Sequence, residues 1–74
     1  MEQTEQTVYT DASRDYYFAV LDYWRAVQKH GETSDEATRA GMHMVGELVK
    51  ARNAGATIGE LVLLRVNARW MALQ

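Results

Sequence analysis

The segment from residue 58 to residue 73 is apolar on nearly every side of the helix that it predicts. A helix turns by about 100° per residue, so its apolar side chains point in almost all directions around the axis. These residues are Ile58, Leu61, Val62, Leu63, Leu64, Val66, Trp70, Met71 and Leu73. Such a helix must be covered on more than one side, and the rest of a 74-residue chain is small for that task. We therefore expect a second chain to contribute to the cover.

The chain also lacks the usual means of stabilising a small domain. A single core of this size supplies only about 3 to 5 kcal/mol. The sequence has no cysteine, which excludes disulfides and thiolate metal sites. Because 47% of the residues are hydrophobic, oligomerisation is the expected source of further buried area. We predict a homo-oligomer, with a dimer as the first expectation.

The N-terminal ten residues differ in composition from the rest of the chain. They are rich in Gln, Thr and Glu, so we predict a flexible polar tail over 1–10 and a single helical domain over 11–74. The N-terminus has neither the cationic start nor the apolar stretch of a signal peptide, and no apolar run in the sequence approaches the roughly 18 residues of a membrane span. These observations predict a cytoplasmic protein without a membrane partner.

Glycine-marked turns divide the domain into helices, and the chain contains no proline. Hydrophobic periodicity predicts an all-α fold, a small bundle of three helices over about 11–30, 34–53 and 58–73. Gly31 suits the left-handed position after the first helix. Thr33 with Glu36, and Thr57 with Glu60, have the spacing of capping boxes at the starts of the second and third helices.

The second helix has a face of apolar and small residues that predicts close packing on another helix. Its members are Ala37, Gly41, Met44, Val45, Leu48 and Ala51. Gly41 and Gly46 lower the helix propensity there and allow a neighbouring backbone to come near. We expect Leu48 of this face and Trp24 of the first helix both to be largely buried.

Charge is distributed unevenly along the chain. Residues 1–36 hold eight acids and three bases, whereas residues 37–74 hold five bases and two acids. Arg65 and Arg69 are four residues apart, hence neighbours on one helix face between two apolar strips, and Arg52 projects from the apolar face of the second helix. Our preferred interpretation is an ion pair with Asp15, Asp22 or Glu47 of the same or a symmetry-related chain. A solvated strip and a contact with nucleic-acid phosphate are the alternatives.

Residues 48–70 partly fit a helix-turn-helix, which is the basis of an alternative function as a small DNA-binding regulator. Ala51 and Gly55 have the spacing of the alanine and the turn glycine in such motifs. However, Lys50 occupies a position that is usually apolar, and the predicted reading helix is mostly Val and Leu. The sequence pI of about 5.5 also argues against strong binding to phosphates.

The sequence contains no pattern that indicates catalysis. His30 and His43 do not form a metal pair on any helical spacing, and His43 with Glu47 is a common surface couple. No serine lies in a nucleophile-elbow pattern, and Asp11 with Asp15 is explained by the positive start of a helix dipole. We expect no enzyme activity, no catalytic residue, no metal and no cofactor.

Tyr, Trp, Met and Arg, the residue types enriched at protein interfaces, are concentrated on the surplus apolar faces. The sequence therefore predicts a non-enzymatic protein-interaction module, an adaptor or an inhibitor that binds a larger protein target. The predicted partner-binding residues are Tyr17, Phe18, Leu21, Trp24, Arg52, Arg65, Arg69 and Trp70.

Overall fold

The structure, a computed structural model, describes residues 11–74 and contains three α-helices in that range. They are α1 (Asp11–His30), α2 (Asp35–Asn53) and α3 (Ile58–Ala72). The predicted all-α fold is confirmed, and the helix bounds agree with the sequence-based ones to within one residue. The predicted tail over 1–10 lies outside the described residues.

The turn between α1 and α2 is built on Gly31 and Ser34. Gly31 has a φ of 98°, as predicted, and its N–H donates to the carbonyl of Val27 at 2.8 Å. The cap of α2 is Ser34, whose hydroxyl oxygen accepts from the N–H of Ala37 at 3.1 Å. The predicted Thr33 cap is therefore wrong by one residue. The same Ser34 hydroxyl donates to the carbonyl of Gly31 at 2.8 Å, which ties the cap to the preceding turn.

The predicted capping box at the start of α3 is confirmed. The hydroxyl of Thr57 accepts from the N–H of Glu60 at 3.1 Å, and the carboxylate of Glu60 accepts from the N–H of Thr57 at 2.8 Å. Two backbone donors that have no partner within a helix are satisfied in this way. At the other end, α3 ends at Ala72, and Leu73 is its C-cap residue.

α1 is the central helix, because it packs against both α2 and α3 whereas those two barely touch each other. The core forms along α1 and includes the turn that joins α2 to α3. Its buried apolar members are Tyr16, Val20, Leu21, Ala51, Ala56, Leu61, Leu64, Ala68 and Ala72. Each outer helix therefore has one side packed on α1 and another side without a helical neighbour in the described domain.

The packed side of α2 agrees with the sequence except at one position. Ala37 and Ala51 are buried, and a β-carbon at Gly41 would lie 3.3 Å from Cε1 of Tyr23, so glycine allows the close approach there. Val45 is 54% exposed, which corrects its predicted place on the packing face. The reason is that α1 covers only one stripe of α2, and Val45 lies beyond its edge.

Trp24 and Leu48, for which the sequence predicts large burial, are partly buried and do not belong to the fully buried core. Both pack against the edge of the core. Leu48 remains partly exposed because α2 and α3 diverge next to its side chain. Trp24 lies at the edge of α1, where the side chain of Arg69 covers its ring.

Gly46 allows a prediction about stability. It lies within α2, and a β-carbon added at this position would contact no neighbouring side chain or backbone within 4 Å. Alanine restricts the unfolded chain and favours the helix, so Gly46→Ala should raise the free energy of unfolding by about 0.5 to 1 kcal/mol. Urea denaturation followed by circular dichroism measures this. A loss of stability would show that Gly46 is needed for a close contact after all.

Candidate functional site

α3 is apolar on two opposite sides. The inner side, which consists of Leu61, Leu64, Ala68 and Ala72, is buried in the core. The opposite side, which we call the outer face of α3, consists of Val62, Leu63, Val66, Trp70 and Leu73, and all five are exposed. Because α3 packs mainly on α1, only the inner side is covered. The surplus apolar surface expected from the sequence is therefore present on the described domain.

Two arginines border the outer face of α3 on one flank. Arg65 and Arg69 follow each other along this edge, and the guanidinium carbon of Arg69 lies 4.8 Å from the centroid of the Trp24 ring, within cation–π distance. Over residues 11–74, neither arginine forms an ion pair with Asp15, Asp22 or Glu47.

The predicted ion pair within one chain is thus wrong, because the acids lie on other sides of α1 and α2. Glu47 instead pairs with Lys50 at 3.2 Å between Oε2 and Nζ. An ion pair of Arg65 or Arg69 with a second chain remains a prediction.

A groove of about 350 Å³ opens where α2 and α3 diverge. It continues from the outer face of α3, with which it shares Val62. Its lining, which defines the α2–α3 groove, is Tyr16, Leu48, Arg52, Ile58, Leu61, Val62 and Arg65. Apolar side chains form most of this lining, and the polar groups in it are a phenol and two guanidinium groups.

Tyr16 lines the groove from the core side. Its side chain belongs to the core and is only 3% exposed, and no described residue forms a hydrogen bond with its hydroxyl. Burial raises the pKa of the Tyr16 phenol above its ordinary value of 10.0, while the positive charge of Arg65 acts in the opposite direction. The phenol therefore keeps its proton at neutral pH and can donate it to an acceptor.

Arg52 stands at the α2 side of the groove. Its Nη1 donates to the carbonyl of Ala56 at 3.2 Å, which holds the side chain across the turn between α2 and α3. This bond uses one of the five N–H donors of a guanidinium, so others remain for a ligand. Arg52 and Arg65 thus supply positive charge from the two helices that form the groove.

The opposite side of α1 carries an exposed aromatic residue between two acids. Phe18 is 51% exposed, and its ring meets that of Tyr17 edge to face with centroids 5.4 Å apart. Asp15 and Asp22 are three and four residues away, so they lie beside Phe18 on the same helix face. Neither aspartate has an ion pair with another residue in the range 11–74. We call these three residues the Phe18 patch.

The structure does not bring the predicted partner-binding residues together at one site. Arg52 and Arg65 line the groove, Arg69 and Trp70 lie along the outer part of α3, and Phe18 is on the far side of α1. Tyr17 and Trp24 are half-buried. Leu21 is buried in the core; this corrects its predicted place on a binding surface, because α1 packs against both α2 and α3.

The sequence interpretation missed Tyr16 as a groove residue and Glu47 as a buried acid. Glu47 is buried although its carboxylate lies 4.0 Å from Nδ1 of the exposed His43, the predicted surface partner. The position of Glu47 in the sequence could have indicated this burial. Glu47 follows Met44 by three residues and precedes Ala51 by four, so it lies on the packed side of α2.

Comparisons with known proteins assign no family to this chain. No protein-family model, curated protein or solved structure gives a significant match to this chain. Within residues 11–74 there is no group of three or more His, Cys, Asp and Glu residues placed to hold a metal ion. In the same range, no helix has the length and apolar character needed to cross a lipid bilayer.

Proposed function

We propose that this chain is a non-enzymatic protein-interaction module, an adaptor or an inhibitor that binds a larger protein in the cytoplasm and also associates with itself. The observation that carries the proposal is the outer face of α3, an exposed apolar surface opposite the packed side of the same helix. Contiguous apolar surface of this kind marks sites of protein association on small domains.

The composition of the surface supports a protein as the partner. Trp70 and the neighbouring Arg69 belong to residue types that are enriched at the energetic centre of protein interfaces. Tryptophan buries about 150 to 250 Å² on association, and apolar burial contributes about 25 cal/mol per Å². The arginines along the flank favour a partner with carboxylates beside its apolar residues.

The DNA-binding alternative receives less support from this geometry. A reading helix presents polar side chains to the edges of bases, whereas the outer face of α3 presents five apolar ones. Placing Arg65 and Arg69 on phosphates would leave those apolar side chains against a polar duplex or in water. We therefore expect no mobility shift of duplex DNA at physiological salt.

Photo-crosslinking from the outer face tests the proposal in cells that make the protein. Benzoylphenylalanine in place of Val66 should yield a covalent adduct with another protein chain after irradiation, because this exposed position lies at the centre of the surface. The same photoreactive residue at Glu32, in the exposed turn after α1, serves as the control and should give little adduct. Gel electrophoresis and mass spectrometry identify the chains that are joined.

Two results would overturn the proposed function. One is equal or absent adduct formation at positions 66 and 32, which would show that the outer face has no partner. The other is salt-sensitive, submicromolar binding of short DNA duplexes that decreases when Arg65 or Arg69 is replaced by alanine, since counterion release on phosphate contact produces that dependence.

A further inference from the structure

We propose that the α2–α3 groove of one molecule receives the Phe18 patch of a second copy of the same chain. This inference rests on the proposed function, since it names a partner for part of the α3 surface. It joins three features: an apolar groove lined by hydrogen-bond donors, an exposed phenylalanine, and two aspartates that form no ion pair among the described residues, although Lys50 lines the same depression as they do.

The groove selects for an anionic acceptor beside an apolar group. The Tyr16 hydroxyl and the guanidinium groups of Arg52 and Arg65 are all donors, and no carboxylate belongs to the groove lining. Tyr16 is almost completely buried, and no described residue accepts a hydrogen bond from its hydroxyl. A carboxylate is the strongest acceptor for such a set, because both of its oxygens bind charged donors.

The Phe18 patch presents the complementary chemistry. Its ring is the apolar group, and Asp15 and Asp22 place a carboxylate on either side of it along α1. The groove volume of about 350 Å³ is within the range of about 300 to 1,000 Å³ of sites that hold small ligands, so it admits an aromatic ring. The excess of acids in residues 1–36 and of bases in residues 37–74 agrees with this pairing.

The patch of one molecule cannot enter the groove of the same molecule. Tyr16 and Phe18 are two residues apart, so they point to nearly opposite sides of α1. Tyr16 is buried and lines the groove, whereas Phe18 is exposed and lines a separate depression with His43 and Lys50 of α2. The contact must therefore join two molecules through different surfaces, which makes it heterologous, and association proceeds head to tail.

Head-to-tail association allows a test by mixing two defective variants of the full chain. Phe18→Ser removes the ring from the patch and leaves the groove intact, while Arg65→Glu reverses a charge in the groove and leaves the patch intact. Both positions are exposed, and circular dichroism checks that the helices remain. In sedimentation velocity, each variant alone should associate at least about tenfold more weakly than the parent chain.

In an equimolar mixture, the intact groove of the Phe18→Ser chain should bind the intact patch of the Arg65→Glu chain. Association should stop at this dimer, because the two surfaces that remain free are the defective patch and the defective groove. The parent chain should instead form species larger than a dimer as its concentration rises. Arg39→Glu, the same charge reversal at an exposed position of α2, is the control and should behave like the parent chain.

A second pair of variants covers the case in which Phe18→Ser disturbs α1. A chain with Asp15→Lys and Asp22→Lys should associate weakly alone and should regain association with the Arg65→Glu chain, because its groove is intact and receives the intact patch of that chain.

The inference is overturned if the parent chain is a monomer, if neither mixture recovers association, or if Phe18→Ser associates as strongly as the parent. In each case an adduct at position 66 with a different protein would leave the proposed function intact, whereas loss of that adduct would remove the function as well.

Discussion

Val20→Asp should unfold the protein. Val20 lies in the middle of α1 and is 0% exposed, so the new carboxylate would be enclosed by the core on the side where α1 meets its neighbours. Placing an unpaired charge in such a site costs about 3 to 5 kcal/mol, which equals the whole stability that a core of this size supplies, about 3 to 5 kcal/mol. Circular dichroism at neutral pH should show loss of most helical signal.

Val45→Asp is the matched control for this substitution. The exchange is the same, but Val45 is 54% exposed on the side of α2 that no helix of the domain covers. The free energy of unfolding should change by no more than about 0.5 kcal/mol. If the two variants melt alike, the packing of α1 against α2 described above is wrong.

The helix bounds could be predicted from the sequence because the signals that set them are local. Gly31 ends α1 through its own positive φ, and Thr57 with Glu60 begins α3 through hydrogen bonds that span three residues. The one error at a cap, Thr33 in place of Ser34, has the same origin. Thr33 and Ser34 are both suitable cap residues and only Thr33 has a Glu three positions later, but the hydrogen bonds of Ser34 with Gly31 and Ala37 make Ser34 the cap.

The degree of burial could not be predicted because it depends on which helices touch. Periodicity assigns Val45 and Leu48 to the apolar side of α2, but it does not show that α3 packs on α1 and diverges from α2. Val45 is exposed because it lies beyond the stripe that α1 covers, and the divergence leaves Leu48 half-buried at the edge of a groove. The same applies to Trp24, which packs at the edge of the core beside the Tyr23 ring and under the guanidinium of Arg69.

The candidate site was accessible to sequence analysis only in part. Spacing placed Arg65 beside apolar strips, and the apolar face of α2 indicated Arg52, so two groove residues were predicted. Tyr16 was not, because a tyrosine in a wide apolar arc gives no indication of whether its hydroxyl has a partner. The acids predicted to meet Arg65 within the chain face other directions, which follows from the helix packing and not from residue types.

Trp70→Ala should remove most of the association that the outer face of α3 supports. Trp70 is 66% exposed, so its truncation costs the fold little. At the centre of an interface, loss of an aromatic anchor costs at least about 2 kcal/mol, and each 1.4 kcal/mol changes an affinity about tenfold. With benzoylphenylalanine at position 66 as the probe, the adduct yield should fall at least about tenfold, while the thermal unfolding of the protein stays nearly unchanged.

Met71→Ala shows whether this loss is specific to the outer face. Met71 is the next residue and is also exposed and apolar, but it lies about 100° further around the helix, toward the flank with Glu60 and Asn67. Its truncation should leave the adduct yield close to that of the parent chain. If both variants reduce the yield equally, association through α3 depends on general hydrophobicity and not on one face. If neither does, Trp70 is not an anchor and the partner contacts another part of the domain.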